Sequence, residues 1–250
     1  MINTKEKTAA VFDHNENISE IFIPRSFNHE SQEYNVLYIL DDVFDSVKIE
    51  FVQFASDSNL QVIGKHAFDY SSIKYIRIPS SVIMLDEGAF CNCELLKTIE
   101  IPEDSKLQKI CKNAFSESNI ESITIPSELI NLEEGWCSIT PHLTKITMSP
   151  KNPRYCFFDN KMIIGKTNIE QNNYDCLVFC VRDVQRIKIP NFIKRICSYS
   201  FENCEKLDVI EISEDSKLQS FSHLIFTDCP KVIIMIPPSL KIDFQNYLNK

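Results

Sequence analysis

Glycine is scarce in this chain: there are four in 250 residues, Gly64, Gly88, Gly135 and Gly165, and the nearest two lie 88 − 64 = 24 positions apart. No glycine-rich loop can therefore wrap a phosphate or a dinucleotide. Cations are outnumbered, with 26 Lys and Arg against 35 Asp and Glu for a net charge of -9. That balance speaks against a phosphate backbone, which needs clustered positive charge, so nucleic acid is not expected as a partner. Long apolar runs are missing too. The longest, Cys176 to Val181 and Val232 to Ile236, stop far short of the roughly 20 residues that cross a bilayer. The first segment, Met1 to Glu20, has no apolar core of the roughly seven residues a secretory signal needs. Neither membrane insertion nor a signal peptide is expected. His14, His29, His66, His142 and His223 share no motif, and no GxSxG, HExxH or Cys-His signature accompanies them. The sequence thus predicts a protein that is not an enzyme, with no catalytic residue, no metal site and no cofactor.

What is present is a repeat, and a fixed period governs the fold before any single element does. The pattern Ile-x-Ile-Pro ends at Pro79, Pro102 and Pro126 (102 − 79 = 23; 126 − 102 = 24). Extending the register gives strand ends at Ala55, Ser149, Pro190, Ser213 and about Pro237 or Pro238. Each period carries a second anchor, an aromatic usually preceded by a small residue: Ala67-Phe68, Ala89-Phe90, Ala114-Phe115, Gly135-Trp136, Ser200-Phe201 and Ile225-Phe226. Its distance from the preceding strand end is 13 in coils such as 68 − 55 and 11 in coils such as 90 − 79, so two turn types alternate. Trp136 sits at 136 − 126 = 10 and fits neither, which predicts a distorted coil.

Ile-x-Ile places two isoleucines on an inner face and one variable residue outside. Proline, which cannot donate to a ladder, then ends the strand. One coil cannot bury its apolar face alone, so stacking is the source of stability. The ten cysteines follow the same register. Cys93, Cys204 and Cys229 lie three residues after the core aromatic, where Ser71 and Ser118 stand in other coils. Cys111 and Cys197 share another column with Gly64. They are expected as small buried thiols, and a disulfide between Cys204 and Cys229, in one column of consecutive coils, is the alternative.

These motifs resemble the BspA-type leucine-rich repeat family, whose units take the form L-x-x-I-x-I-P-x-x-V-x-x-I-x-x-x-A-F-x-x-C. The resemblance covers roughly Val52 to Pro238. It implies an α+β repeat solenoid, a leucine-rich repeat of 23–24 residue period with one short strand per coil and a non-repeat island. As one domain, 1–250 divides into a divergent N-terminal cap (1–51), repeats (52–149), the island (150–186), repeats (187–238) and a C-terminal cap (239–250). In the island, Phe157 to Ile164 and Cys176 to Val181 are expected as two strands. Ser239 to Lys250, with Phe244, Tyr247 and Leu248 at helical spacing, is expected as a short capping helix.

The surface expected to bind a partner is the concave, strand-lined face. Its outward residues run Tyr75, Thr98, Ser122, Lys145 and Arg186 in one column and Arg77, Glu100, Thr124, Thr147 and Lys188 in the next. The family resemblance implies a surface antigen, located at the cell surface and adhering to a host or extracellular protein. An intracellular scaffold for another protein is the alternative, and the oligomeric state is left open.

Overall fold

The computed structural model describes residues 2–3, 8–11, 19–222, 224–230, 232–238 and 240. The chain winds as a coil, and each regular turn of the coil carries two short strands rather than the one expected. The first ladder consists of the Ile-x-Ile segments. Tyr75–Arg77, Thr98–Glu100, Ser122–Ile125 and Lys145–Met148 form one parallel sheet. Arg186–Ile189, Val209–Ile212 and Ile233–Met235 form another, and Glu20–Ile23 pairs with Phe51–Phe54. The second ladder passes through Gln32–Ile39, Val62–Ile63, Met84–Leu85, Lys109–Ile110 and Asn131–Leu132. It resumes at the island's last strand, Cys176–Cys180, and continues through Arg195–Ile196 and Ser220–Phe221. Pairing between successive coils is parallel in both ladders, as winding in one sense requires.

The expected α+β class is overturned: no helix occurs among the described residues, and the fold is a β-solenoid. The reason lies in the loop that carries the aromatic. Its backbone N–H groups alternate: every second one bonds to the next coil, as in Phe68 N to Ala89 O at 2.9 Å and Tyr70 N to Cys91 O at 3.1 Å, and those between make only three-residue turns, as in Asp69 N to His66 O at 3.2 Å, so no run of i to i−4 helical bonds forms. Left-handed residues also flank the ring, His66 and Tyr70 about Phe68 (φ 50 and 56) and Asn113 and Glu117 about Phe115 (φ 59 and 57). An α-helix admits no such residue in its interior. The capping helix expected over 239–250 falls outside the described residues, apart from Leu240.

The aromatics form a column through the core. Phe44 stacks on Phe68 at 5.1 Å, Phe68 on Phe90 at 5.3 Å and Phe90 on Phe115 at 5.7 Å between ring centroids. The stack then breaks, Trp136 meeting Phe115 edge-on at 6.3 Å and 85°. The distortion expected of that coil is confined to side chains. Gly135 and Ile139 have positive φ, as Asn113 and Glu117 do one coil earlier, and Phe115 N bonds to Trp136 O as Phe90 N bonds to Ala114 O. Trp136 therefore occupies the alanine column and Cys137 the phenylalanine column. The coil has exchanged the order of its small and large residues and kept its length.

Three residues after the phenylalanine column, a hydrogen-bonding side chain caps the carbonyl of the residue in that column. Ser118 Oγ donates to Phe115 O and Thr140 Oγ1 to Cys137 O, both at 2.6 Å. The thiols reach one coil back, Cys93 Sγ to Phe68 O at 3.1 Å and Cys229 Sγ to Phe201 O at 2.7 Å. All ten cysteines are free.

Two hairpins interrupt the period. Ser26–His29 pairs antiparallel with Gln32–Ile39 around Glu30 and Ser31, whose φ values are 50 and 62. In the island, Tyr155–Phe158 pairs with Met162–Gly165 around Asp159 and Asn160, with φ 52 and 50. Two adjacent positive-φ residues are the mark of a type I′ turn, whose twist matches the strands it joins. The expected strand from Phe157 to Ile164 is thus a hairpin, and the island holds three strands instead of two, the third being Cys176–Cys180.

Candidate functional site

On the first ladder the isoleucines point inward. Ile76, Ile78, Ile123 and Ile125 are at most 2% exposed. Their neighbours point out, which places the ten expected binding residues on one surface. Register aligns Tyr75 with Thr98, Thr98 with Ser122 and Ser122 with Lys145; Arg77 faces Glu100, and Thr124 faces Thr147. Arg186 and Lys188 stand opposite Val209 and Glu211 in the other sheet, so they are not joined by ladder bonds to the first eight.

Charges on this surface are matched between coils. Arg77 reaches Glu100 at 2.6 Å, and the same carboxylate accepts the Tyr75 hydroxyl. That hydrogen bond is the main reason the Tyr75 phenol titrates above its usual range. Arg186 meets Glu211 at 3.4 Å and Lys97 meets Glu121 at 3.8 Å. Arg77 and Glu100 face each other across neighbouring strands and Arg186 and Glu211 lie on a diagonal, both within reach of pairs that support the register. Between these pairs lies an uncharged stretch of hydroxyls, Thr98, Ser122, Thr124 and Thr147.

Apolar residues at the two ends of the face were missed. Phe22 and Phe51 stand exposed beside Tyr75 at one end, and Ile233 and Met235 at the other. The signal was available, since the outward columns extend directly through Ile21-Phe22-Ile23-Pro24 and through Ile233 to Met235. Between Phe51–Phe54 and Tyr75–Arg77 the ladder bonds lapse, and a cleft of about 510 Å³ opens there, lined by Gln53, Ser56, Tyr75, Arg77, Ser80 and Asp104 among others.

Chemistry elsewhere is subdued. Among the described residues, no three His, Cys, Asp or Glu side chains are placed to hold a metal ion. His66 is engaged with Asp69 at 2.8 Å inside its own loop. Burial pushes the thiols of Cys93, Cys137 and Cys229 up to about 12, far from a nucleophile's range. Among the described residues, no helix is long and apolar enough to cross a membrane.

A family model described as the BspA type Leucine rich repeat region matches residues 37–164 and 167–249 in six copies. No curated protein matches. Among solved structures, the pneumococcal vaccine antigen PcpA superposes with a TM-score of 0.78 at 24% identity, over 92% of this chain and 56% of that one. A leucine-rich repeat protein of Bacteroides ovatus gives 0.67 at 21%, over 96% and 57%. A leucine-rich cell surface protein of Faecalibacterium prausnitzii gives 0.63 at 21%, over 94% and 73%. The chain spans little more than half the length of the first two, and at these identities the likeness is one of fold. With the matched repeats covering most of its residues, the chain belongs to the BspA-type leucine-rich repeat family.

Proposed function

We propose that the chain is a non-catalytic binding module that meets a protein partner through the outward residues of its Ile-x-Ile ladder. The observation that carries this reading is the run from Tyr75 to Thr147, four hydrogen-bonded strands presenting side chains at a fixed spacing. A surface formed in advance spares the partner the entropy of ordering it. The hydroxyls of Thr98, Ser122, Thr124 and Thr147 offer donors and acceptors. Lys145, Arg186 and Lys188 add positive charge, and Phe22, Phe51 and Tyr75 supply the aromatic anchors on which interfaces depend most. The family, together with structural relatives described as a vaccine antigen and a cell surface protein, supports a place at the cell surface and adhesion to an extracellular protein.

Two measurements test this. Intact source cells are labelled with a membrane-impermeant amine reagent, with a cytosolic protein as leakage control; labelling of this protein alone supports the surface location. Purified protein is then titrated against immobilised extracellular proteins. A Thr124→Arg/Thr147→Arg double variant should weaken binding at least tenfold, while Lys109→Ala on the second ladder should not. Equal binding by both variants would remove the face from consideration. A second reading, an intracellular scaffold using the same face, is favoured by the ten free cysteines, because an oxidising compartment tends to pair them. Labelling only after lysis selects it.

A further inference from the structure

Of the buried side-chain polar atoms that lack a hydrogen-bond partner, three gather at one place: Arg182 Nε, Ser200 Oγ and Asn203 Oδ1. Such orphans are few in a native core, and each calls for an explanation. Arg182 is the extreme case. It is 3% exposed, its guanidinium lies 4.4 Å over the Phe179 ring, and its polar contacts are long or soft: 3.4 Å to Ser200 O, 4.0 Å to Cys137 Sγ, and the Cys204 thiol, on which it acts by charge and hydrogen bond. No carboxylate among the described residues forms an ion pair with it, whereas Arg77, Arg186 and Arg195 each have one. Glu202 is the acid whose charge it feels inside the fold, but that carboxylate is engaged with Ile139 N at 3.0 Å. A buried cation without a counter-ion is among the costliest groups a core can hold.

Arg182 and Asn203 both line a cavity of about 570 Å³, in the size range of small-molecule sites. It opens where the two sheets of the Ile-x-Ile ladder part, between Lys145 and the island's exit. Its mouth carries charge of both signs, Lys145 and Lys206 against Glu121, Asp183 and Glu205. The unmet groups are likewise of both kinds, an N–H donor on Arg182 and an acceptor oxygen on Asn203.

We propose that this cavity binds a small zwitterion of the free α-amino acid class. Its carboxylate is the missing counter-ion of Arg182, and its ammonium group is taken by Asn203 Oδ1 and the carboxylates of the mouth. A multiply charged anion is turned away by those same carboxylates. Lys145 is shared with the strand-lined face, but Arg182 and Asn203, which the test below alters, lie off that face, so the two readings can fail separately.

The test is thermal unfolding of the full chain with each of the twenty amino acids at up to 10 mM. N-acetylalanine, which lacks the ammonium, and alaninamide, which lacks the carboxylate, serve as controls. At least one amino acid should raise the melting temperature, by about 5 °C at a hundredfold excess over its dissociation constant, and neither control should do so. Arg182→Met should fold with an unchanged or higher melting temperature in buffer alone, since it removes a buried charge, and should lose the response. Should that variant fail to fold, Asn203→Ala must lose the response instead. Absence of any shift in the native chain, or an equal shift with both controls, leaves ordered water as the occupant and overturns the proposal.

Discussion

Phe68, Phe90 and Phe115 each touch a ring in the coil on either side, so no one of them can be removed without exposing two neighbours. Phe90→Ala is expected to cost about 3–5 kcal/mol, read as a lower midpoint in urea unfolding. A loss under about 1 kcal/mol would mean that adjacent coils close over the gap. Glu202 gives a pH signature of its own. Burial raises its folded pKa above the unfolded value. Its contribution to stability is therefore present below the unfolded pKa and is lost as pH rises through the folded one. Glu202→Gln, which keeps an oxygen for Ile139 N, should gain stability relative to the native chain as pH increases from about 4 to 7. Parallel stability curves for the two proteins would count against the burial argument.

At the scale of elements, the type I′ turn at Asp159 and Asn160 holds an asparagine where glycine is at ease. Asn160→Gly is expected to stabilise by about 0.5–1 kcal/mol, measured in the same urea titration, and an equal loss would argue for a side-chain role of Asn160. The elements also show what sequence could and could not reveal. Ile-x-Ile-Pro and Ala-Phe were legible because each marks a column repeated coil after coil, and the strand register follows from them directly. Val62–Ile63 and Lys109–Ile110 were not, since two residues carry no periodicity and their pairing is dictated by the coils beside them. The hairpin at 26–39 hid the first coil by lengthening it, and that concealed Phe44 as the start of the ring column. Trp136 misled because spacing was counted to the ring and not to the backbone position. Of the candidate site, the outward columns were readable. The Arg182 cavity was not, because it depends on the island folding back against residues 199–204.

Across the whole molecule, solenoid stability comes from contacts between neighbouring coils and from hydrogen bonds crossing them at both ladders and at the aromatic loops. The cysteines sit within this framework as packing residues. Burial pushes Cys91, Cys93, Cys137 and Cys229 up to about 12, and Cys176 and Cys204, which hydrogen bonds from Cys197 and Cys180 draw down, are themselves buried away from reagent. A disulfide-exchange reagent at pH 8 should therefore count few thiols in the native protein and all ten in denaturant, with no change in melting temperature on adding reductant. Fewer than ten in denaturant would reveal a cross-link. The two hairpins have a practical consequence. Each leaves the coil at a strand end and returns beside it, and its tip, at Glu30-Ser31 or Asp159-Asn160, faces solvent without disturbing the coils on either side. Those tips are ready-made grafting points, where a foreign epitope could be displayed at a chosen height on a rigid rod.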